Sequence, residues 1–153
     1  MVWHMDDSKI NICVLVSYDQ TYAGIAKYSI FDNINKYCAL HGYHLHVDYQ
    51  EKFSNGKPPQ WRKIQAAMEI LPNYDWVFFL DADCLIMNSD IKLESFLDTT
   101  DSFLVPSHYL PAIDTPITTI EGTTNIISSQ FFVKNACQLV KLIQLIYSMI
   151  FYE

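Results

Sequence analysis

Tyr74-Asp75-Trp76-Val77-Phe78-Phe79-Leu80-Asp81-Ala82-Asp83 is an apolar run of strand length that ends abruptly in two carboxylates. That is how a buried strand delivers a metal site. Side chains alternate along an extended backbone at about 3.3 Å per residue, so Asp81 and Asp83 are expected on one side, roughly 6 to 7 Å apart. A hard divalent ion and the oxygens of a diphosphate fit such a gap, and carboxylates suit Mg²⁺ or Mn²⁺, which share their shells between protein and substrate phosphates. The plainer alternative is that one Asp caps the next turn and the other is solvated. The apolar strand favours the ligand reading, because ligands in open α/β sheets bind beyond the carboxyl ends of strands.

The chain has 153 residues, half of them apolar, and a net charge of −7. One compact unit with a substantial core is expected. The acidic balance, without clustered Lys and Arg, excludes a nucleic-acid surface, and nothing points to an anionic membrane surface. Cys13, Cys38, Cys84 and Cys137 are widely separated and lie mostly in apolar segments, so they read as reduced core residues rather than disulfides or zinc ligands. No signal peptide or membrane anchor is visible. The apolar segment Leu139 to Tyr152 is interrupted by Lys141 and Gln144 and reads as a core helix, too short for a bilayer span.

Strands and helices alternate along the chain. Lys9–Ser17 is rich in β-branched residues and suits a buried first strand. Tyr22–His41 has helical spacing, and Gly42 stops it. His44–Asp48 is a short strand, Glu51–Gln60 a loop, and Trp61–Leu71 a helix ended by Pro72-Asn73. After the Asp81 strand comes a short helix, Ile91–Leu97, which Ser89 or Asp90 is placed to cap. Ser102–Val105 and Gln130–Val133 are further strands, separated by a loop rich in Pro and Thr. Such alternation predicts an α/β fold, a mostly parallel sheet with helices on both faces.

Four motifs, in order, resemble the retaining GT-A glycosyltransferases of family 34. They are the helix carrying Asn33 and Tyr37 into His41-Gly42-Tyr43; Trp61-Arg62-Lys63-Ile64; the run from Tyr74 through Asp81-Ala82-Asp83 to Ile86-Met87-Asn88 and Leu93-Glu94; and Gln130-Phe131-Phe132-Val133-Lys134-Asn135. The resemblance covers most of Lys9 to Asn135. It implies a GT-A-like, Rossmann-type sheet and a metal-dependent transfer of a hexose or pentose from a UDP-sugar or GDP-mannose to an oligosaccharide or glycan, with retention. Asp83 would be the direct ligand of Mn²⁺ or Mg²⁺, and Asp81 would act through water or hold the ribose. Ser17 and Tyr18, just past the first strand, would lie at the nucleobase, Lys63 would pair with phosphate or orient Asp81, and Ala82 would be among the cofactor-binding residues. Same-face attack with retention requires no dedicated general base.

The chain also departs from that pattern. Ile127-Ser128-Ser129 replaces the usual Asn-x-Gly, and no His follows His108 to serve as the third metal ligand. Residues 1–153 are therefore expected to be one nucleotide-sugar-binding domain, incomplete at the C-terminus. Its setting would be the cytoplasm if the chain is complete, and the Golgi lumen by family analogy if it is trimmed. Other histidines read as structural. His41 suits a helix C-terminus, His44 and His46 share a strand face without a third ligand, and Trp61 and Trp76 are core anchors. Aspartate-nucleophile phosphatases also use an apolar strand ending in Asp-x-Asp. They need Thr or Val where Leu85 stands, and they carry the motif on the first strand. The remaining alternative is a degenerate transferase domain that binds nucleotide sugar or a partner without turnover.

Overall fold

The computed structural model describes residues 9–50, 61–97, 103–104, 107–109, 124–126 and 130–135. A five-stranded sheet organises them, in the order β2-β1-β3-β7-β4. The strands are β1 (Ile12–Asp19), β2 (His44–Gln50), β3 (Trp76–Asp81), β4 (Phe103–Leu104) and β7 (Gln130–Lys134). β1 pairs in parallel with both β2 and β3, while β7 runs antiparallel to β3 and to β4, so four of the five strands share one direction. This is the mostly parallel α/β sheet that the alternation of elements predicts.

Strict inward burial on both faces explains why β1 and β3 read as continuous apolar runs. Ile12, Val14, Val16, Trp76, Phe78 and Leu80 point to one face, where Ala26, Ile30, Ile34, Tyr37 and Cys38 cover them. Cys13, Leu15, Val77 and Phe79 point to the other, where they meet Ala66, Ala67, Ile70 and Leu71. The first cover is a helical run built from α1 (Ala23–Ala26), a π-type segment Lys27–Ile34 and α2 (Asn35–His41); the second is α3 (Arg62–Ile70). Across β3 and β7, Phe78 stacks on Phe132 at 4.3 Å and Phe79 on Phe131 at 5.0 Å between centroids. Such pairs add about 0.5 to 1.5 kcal/mol each beyond area burial. Burial pushes the Cys13 thiol up to about 11 and Cys38 to about 12, so both remain protonated core thiols.

Gly42 ends α2 in the left-handed region at φ 73, and its amide returns to the Cys38 carbonyl. Gly42→Ala is expected to cost about 1 kcal/mol, because an L side chain is strained at positive φ. The added Cβ would also stand 2.9 Å from Lys9 Nζ, a flexible group that can withdraw. A urea titration of the two proteins checks this, and an unchanged midpoint would refute it.

Several boundaries differ from the sequence expectation. β1 extends to Asp19, so Ser17 and Tyr18 lie within it and not just past it. The helix expected over Ile91–Leu97 is a single 3-10 turn, Leu93–Phe96, begun at Lys92 without a side-chain cap. Neither Ser89 nor Asp90 caps it; the Asp90 amide instead donates to Asn88 Oδ1 at 3.0 Å. The segment read as an irregular Pro/Thr loop contains a two-stranded antiparallel pair, β5 (Ser107–Tyr109) with β6 (Thr124–Ile126). Its Pro residues fall outside those strands, which keeps every ladder donor. The 51–60 loop, Cys137, Ile127-Ser128-Ser129 and the helix expected at Leu139–Tyr152 lie outside the described residues. Among the described residues, no helix is long and apolar enough to cross a membrane.

Candidate functional site at the carboxyl ends of the parallel strands

Three polar side chains meet in one row across the sheet, because Ser17 of β1 is in register with Asp48 of β2 and with Asp81 of β3. In-register neighbours share a face, and here that face is the one covered by α3. The row stands where the apolar strands end, beyond which ligands bind in sheets of this kind. The first two residues of α3 supply the counter-charges.

Asp48 is a buried carboxylate held on both oxygens. Arg62 Nε donates to Oδ2 at 2.7 Å and Arg62 Nη2 to Oδ1 at 2.5 Å, while Ser17 Oγ donates to Oδ2 at 2.7 Å. Burial works to raise the Asp48 carboxyl, yet the Arg62 and Ser17 bonds outweigh it and hold the group below its ordinary value. The Asp48 and Arg62 side chains are 9% and 11% exposed, so this is an interior ion pair. Arg62 Nη1 also donates to Glu69 Oε1 at 3.2 Å, seven residues further along α3.

Asp81 closes β3 and is half-buried, with Lys63 Nζ 3.2 Å from its Oδ1. The Lys63 ammonium also lies 5.1 Å from the Phe79 ring centroid, so its stem is laid over the core before it reaches the carboxylate. Burial pushes the Asp81 carboxyl above its ordinary value; Lys63 opposes that, and the nearby Asp83 charge adds to it. The chain then turns, and the Cys84 amide donates to the Asp81 carbonyl at 3.0 Å. The extended geometry expected through Asp83 therefore gives way to a strand residue and a turn residue. Asp83 is exposed, and Ala82 between them is 4% exposed, its methyl packed into the core on the opposite face. The Ala82 carbonyl accepts from Ser29 Oγ.

The structure thus brings Ser17, Lys63, Asp81, Ala82 and Asp83 to one end of the sheet. Tyr18 lies on the other face of β1, 9% exposed, with its ring centroid 5.1 Å from that of Tyr49. Asp48 and Arg62 escape sequence reasoning, although a carboxylate at the end of an apolar-facing strand and an Arg beside Lys63 are the available signals. Among the described residues no group of three or more His, Cys, Asp and Glu comes together. The donor set there is the carboxylate pair, which fits a hard cation that completes its shell with water and phosphate oxygens.

Known proteins share this fold and parts of this sequence. The crystal structure of a glycosyltransferase involved in the glycosylation of the major capsid of PBCV-1 superposes with a TM-score of 0.63 at 21% identity, over 91% of this chain and 66% of that one. An uncharacterized α-1,2-galactosyltransferase of Schizosaccharomyces pombe is 34% identical over 71 residues, which is 42% of this chain. The match spans 19% of that relative's length. A family model matches residues 6–138, and on that extent the chain belongs to the galactosyl transferase GMA12/MNN10 family.

Proposed function

We propose that residues 1–153 form the nucleotide-sugar-binding part of a metal-dependent glycosyltransferase that moves a hexose or pentose to a glycan acceptor with retention. The observation that carries this reading is the exposed Asp83 beside the half-buried Asp81 at the carboxyl end of a central parallel strand. Mn²⁺ or Mg²⁺, when bound, neutralises the charge that builds on a departing diphosphate. Asp83, open to solvent, is the direct ligand. Asp81, with one oxygen engaged by Lys63, acts through water or holds the ribose. Lys63 orients Asp81 and opposes the effect of burial on its carboxyl. Ala82 is the small spacer that lets the turn sit close to the core, and Ser17, on the face of β1 that carries Asp81, lies on the nucleotide's side of the sheet, whereas Tyr18 faces the other way and is buried beside Tyr49. Same-face attack leaves no step that needs a separate protein base.

The yeast relative's name makes a UDP-sugar the first donor to try, with GDP-mannose second. Calorimetric titration with UDP and with GDP, each with and without Mn²⁺, tests the reading. Tighter binding of one nucleotide in the presence of the ion is expected. If neither nucleotide binds, the donor-site reading falls; binding without sugar transfer in an assay with a glycan acceptor leaves a degenerate binding domain.

A further inference from the structure

The helical run over α1 and α2 turns a row of polar side chains toward the segment that follows Asp81. Ser29, Asn33, Tyr37 and His41 recur every four residues, a spacing that lines them along one side of a helix. Each reaches the main chain of that segment. Ser29 Oγ donates to the Ala82 carbonyl. Asn33 grips residue 86 twice, donating from Nδ2 to the Ile86 carbonyl at 3.0 Å and accepting from the Ile86 amide at 2.7 Å. The Tyr37 hydroxyl donates to the Ile91 carbonyl at 2.7 Å, and His41 Nε2 lies 2.6 Å from the Ser89 carbonyl. Just past Gly42, the Tyr43 hydroxyl accepts from the Leu93 amide at 3.0 Å and donates to the Glu94 carboxylate.

Residues 84–88 belong to no helix or strand, and within them the two Asn33 bonds at Ile86 stand in for a ladder, with the other bonds anchoring the chain on either side. Main-chain groups there need partners as much as those of a sheet do, and side chains of the helix provide them. Asp83 lies between two of the anchored points, Ala82 and Ile86. A turn whose flanks are fixed holds its carboxylate in one place; Cys84 and Ile86 pack against the core, while Leu85, Met87 and Asn88 are exposed and add nothing to that hold.

We propose that this row is a positioning clasp: Ser29 and Asn33 place Asp83 against Asp81 so that both carboxylates are set before a cation arrives. The proposal rests on the metal-dependent reading above. Ser29 and Asn33 touch neither cation nor nucleotide; they act through Ala82 and Ile86. Ligands ordered in advance spare the binding step the cost of ordering them, and groups that orient metal ligands from behind raise metal affinity.

Amide hydrogen exchange over residues 82–91, together with binding of UDP and GDP with and without Mn²⁺, tests the clasp in wild type, Asn33→Ala, Tyr37→Phe and a core control, Val133→Ala. In Asn33→Ala, exchange at Ile86 and its neighbours is expected to rise about 100-fold, the effect of losing two hydrogen bonds, while β1 and β3 stay protected. The Mn²⁺-dependent gain in nucleotide affinity is expected to fall about tenfold, with metal-free affinity unchanged. Tyr37→Phe, which removes one hydroxyl, shows the same pattern more weakly at Ile91 and serves if Asn33→Ala does not fold. Val133→Ala loses stability and keeps the full Mn²⁺-dependent gain. Unchanged exchange at Ile86, or an equal fall in metal-free and metal-dependent binding, overturns the clasp. A wild type without any Mn²⁺-dependent gain overturns the metal reading instead, and the exchange rates then decide separately whether Asn33 holds the turn.

Discussion

Asp83→Ala is expected to abolish the Mn²⁺-dependent part of nucleotide binding and to lower sugar transfer by about 10² to 10³, the usual loss when one preorganised electrostatic contributor is removed. The same substitution should leave the fold intact. Asp83 is exposed, and substitutions of exposed side chains away from caps and cores usually change stability by no more than about 0.5 kcal/mol. Its charge, moreover, disfavours ionisation of Asp81. Removing it relieves a like-charge repulsion, so the melting temperature should hold or rise slightly. A residue kept for structure would show the opposite sign. Loss of metal-dependent binding at undiminished stability is therefore the signature of a ligand. Calorimetry and a thermal melt on one preparation read both quantities, and intact metal-dependent binding in the variant would remove Asp83 from the site. Two carboxylates of like charge at a half-buried turn are an electrostatic cost in the empty protein, and a divalent cation turns that cost into attraction.

The sheet is legible because its central strands obey one rule on both faces. Trp76 to Leu80 are all buried, since α3 covers the odd positions and the long helical run covers the even ones, so apolarity is continuous and marks a parallel interior strand. Gly42 is legible for a different reason, because a left-handed C-cap has few other residues to choose from. Periodicity does not say where a strand stops, however. Ala82 is as acceptable in a strand as Leu80, and the turn that begins there is fixed by the Cys84 amide and by Ser29, which lies 53 residues earlier. The same distance separates Asn33 from Ile86. Asn33 stands out in the sequence through resemblance, but its grip on a backbone far along the chain is a tertiary fact. Asp48 was hidden in the same way: a carboxylate at a strand end reads as solvated until the guanidinium that buries it is known. The short pair β5 and β6 has too few residues to show a period at all.

Arg62→Ala is expected to destabilise the protein by about 3 kcal/mol or more at neutral pH, because removing one partner strands the other charge in the interior. Three bonds converge on Asp48, and two of them come from Arg62, so only the Ser17 hydroxyl would remain. The pH dependence identifies the cause. In the wild type the folded Asp48 carboxyl lies below its unfolded value of about 3.9, so the stability it contributes is full above that value and is lost as pH falls through the folded one. Without Arg62, burial is no longer outweighed and the folded value moves above the unfolded one. The penalty in the variant is then present at neutral pH and fades as pH falls and the carboxyl takes up a proton. The stability gap between wild type and variant should therefore be widest near neutrality and narrow toward acid. Urea unfolding of both proteins at neutral pH and near the ordinary carboxylate range measures it. A gap that does not change with pH would mean that Arg62 stabilises through packing of its stem alone. Arg62→Met with Asp48→Leu, which removes both charges while keeping bulk, should recover most of the loss. The site feels the same change: Lys63 follows Arg62 on the first turn of α3, so the ion pair that anchors this turn to β2 also holds the ammonium 3.2 Å from Asp81.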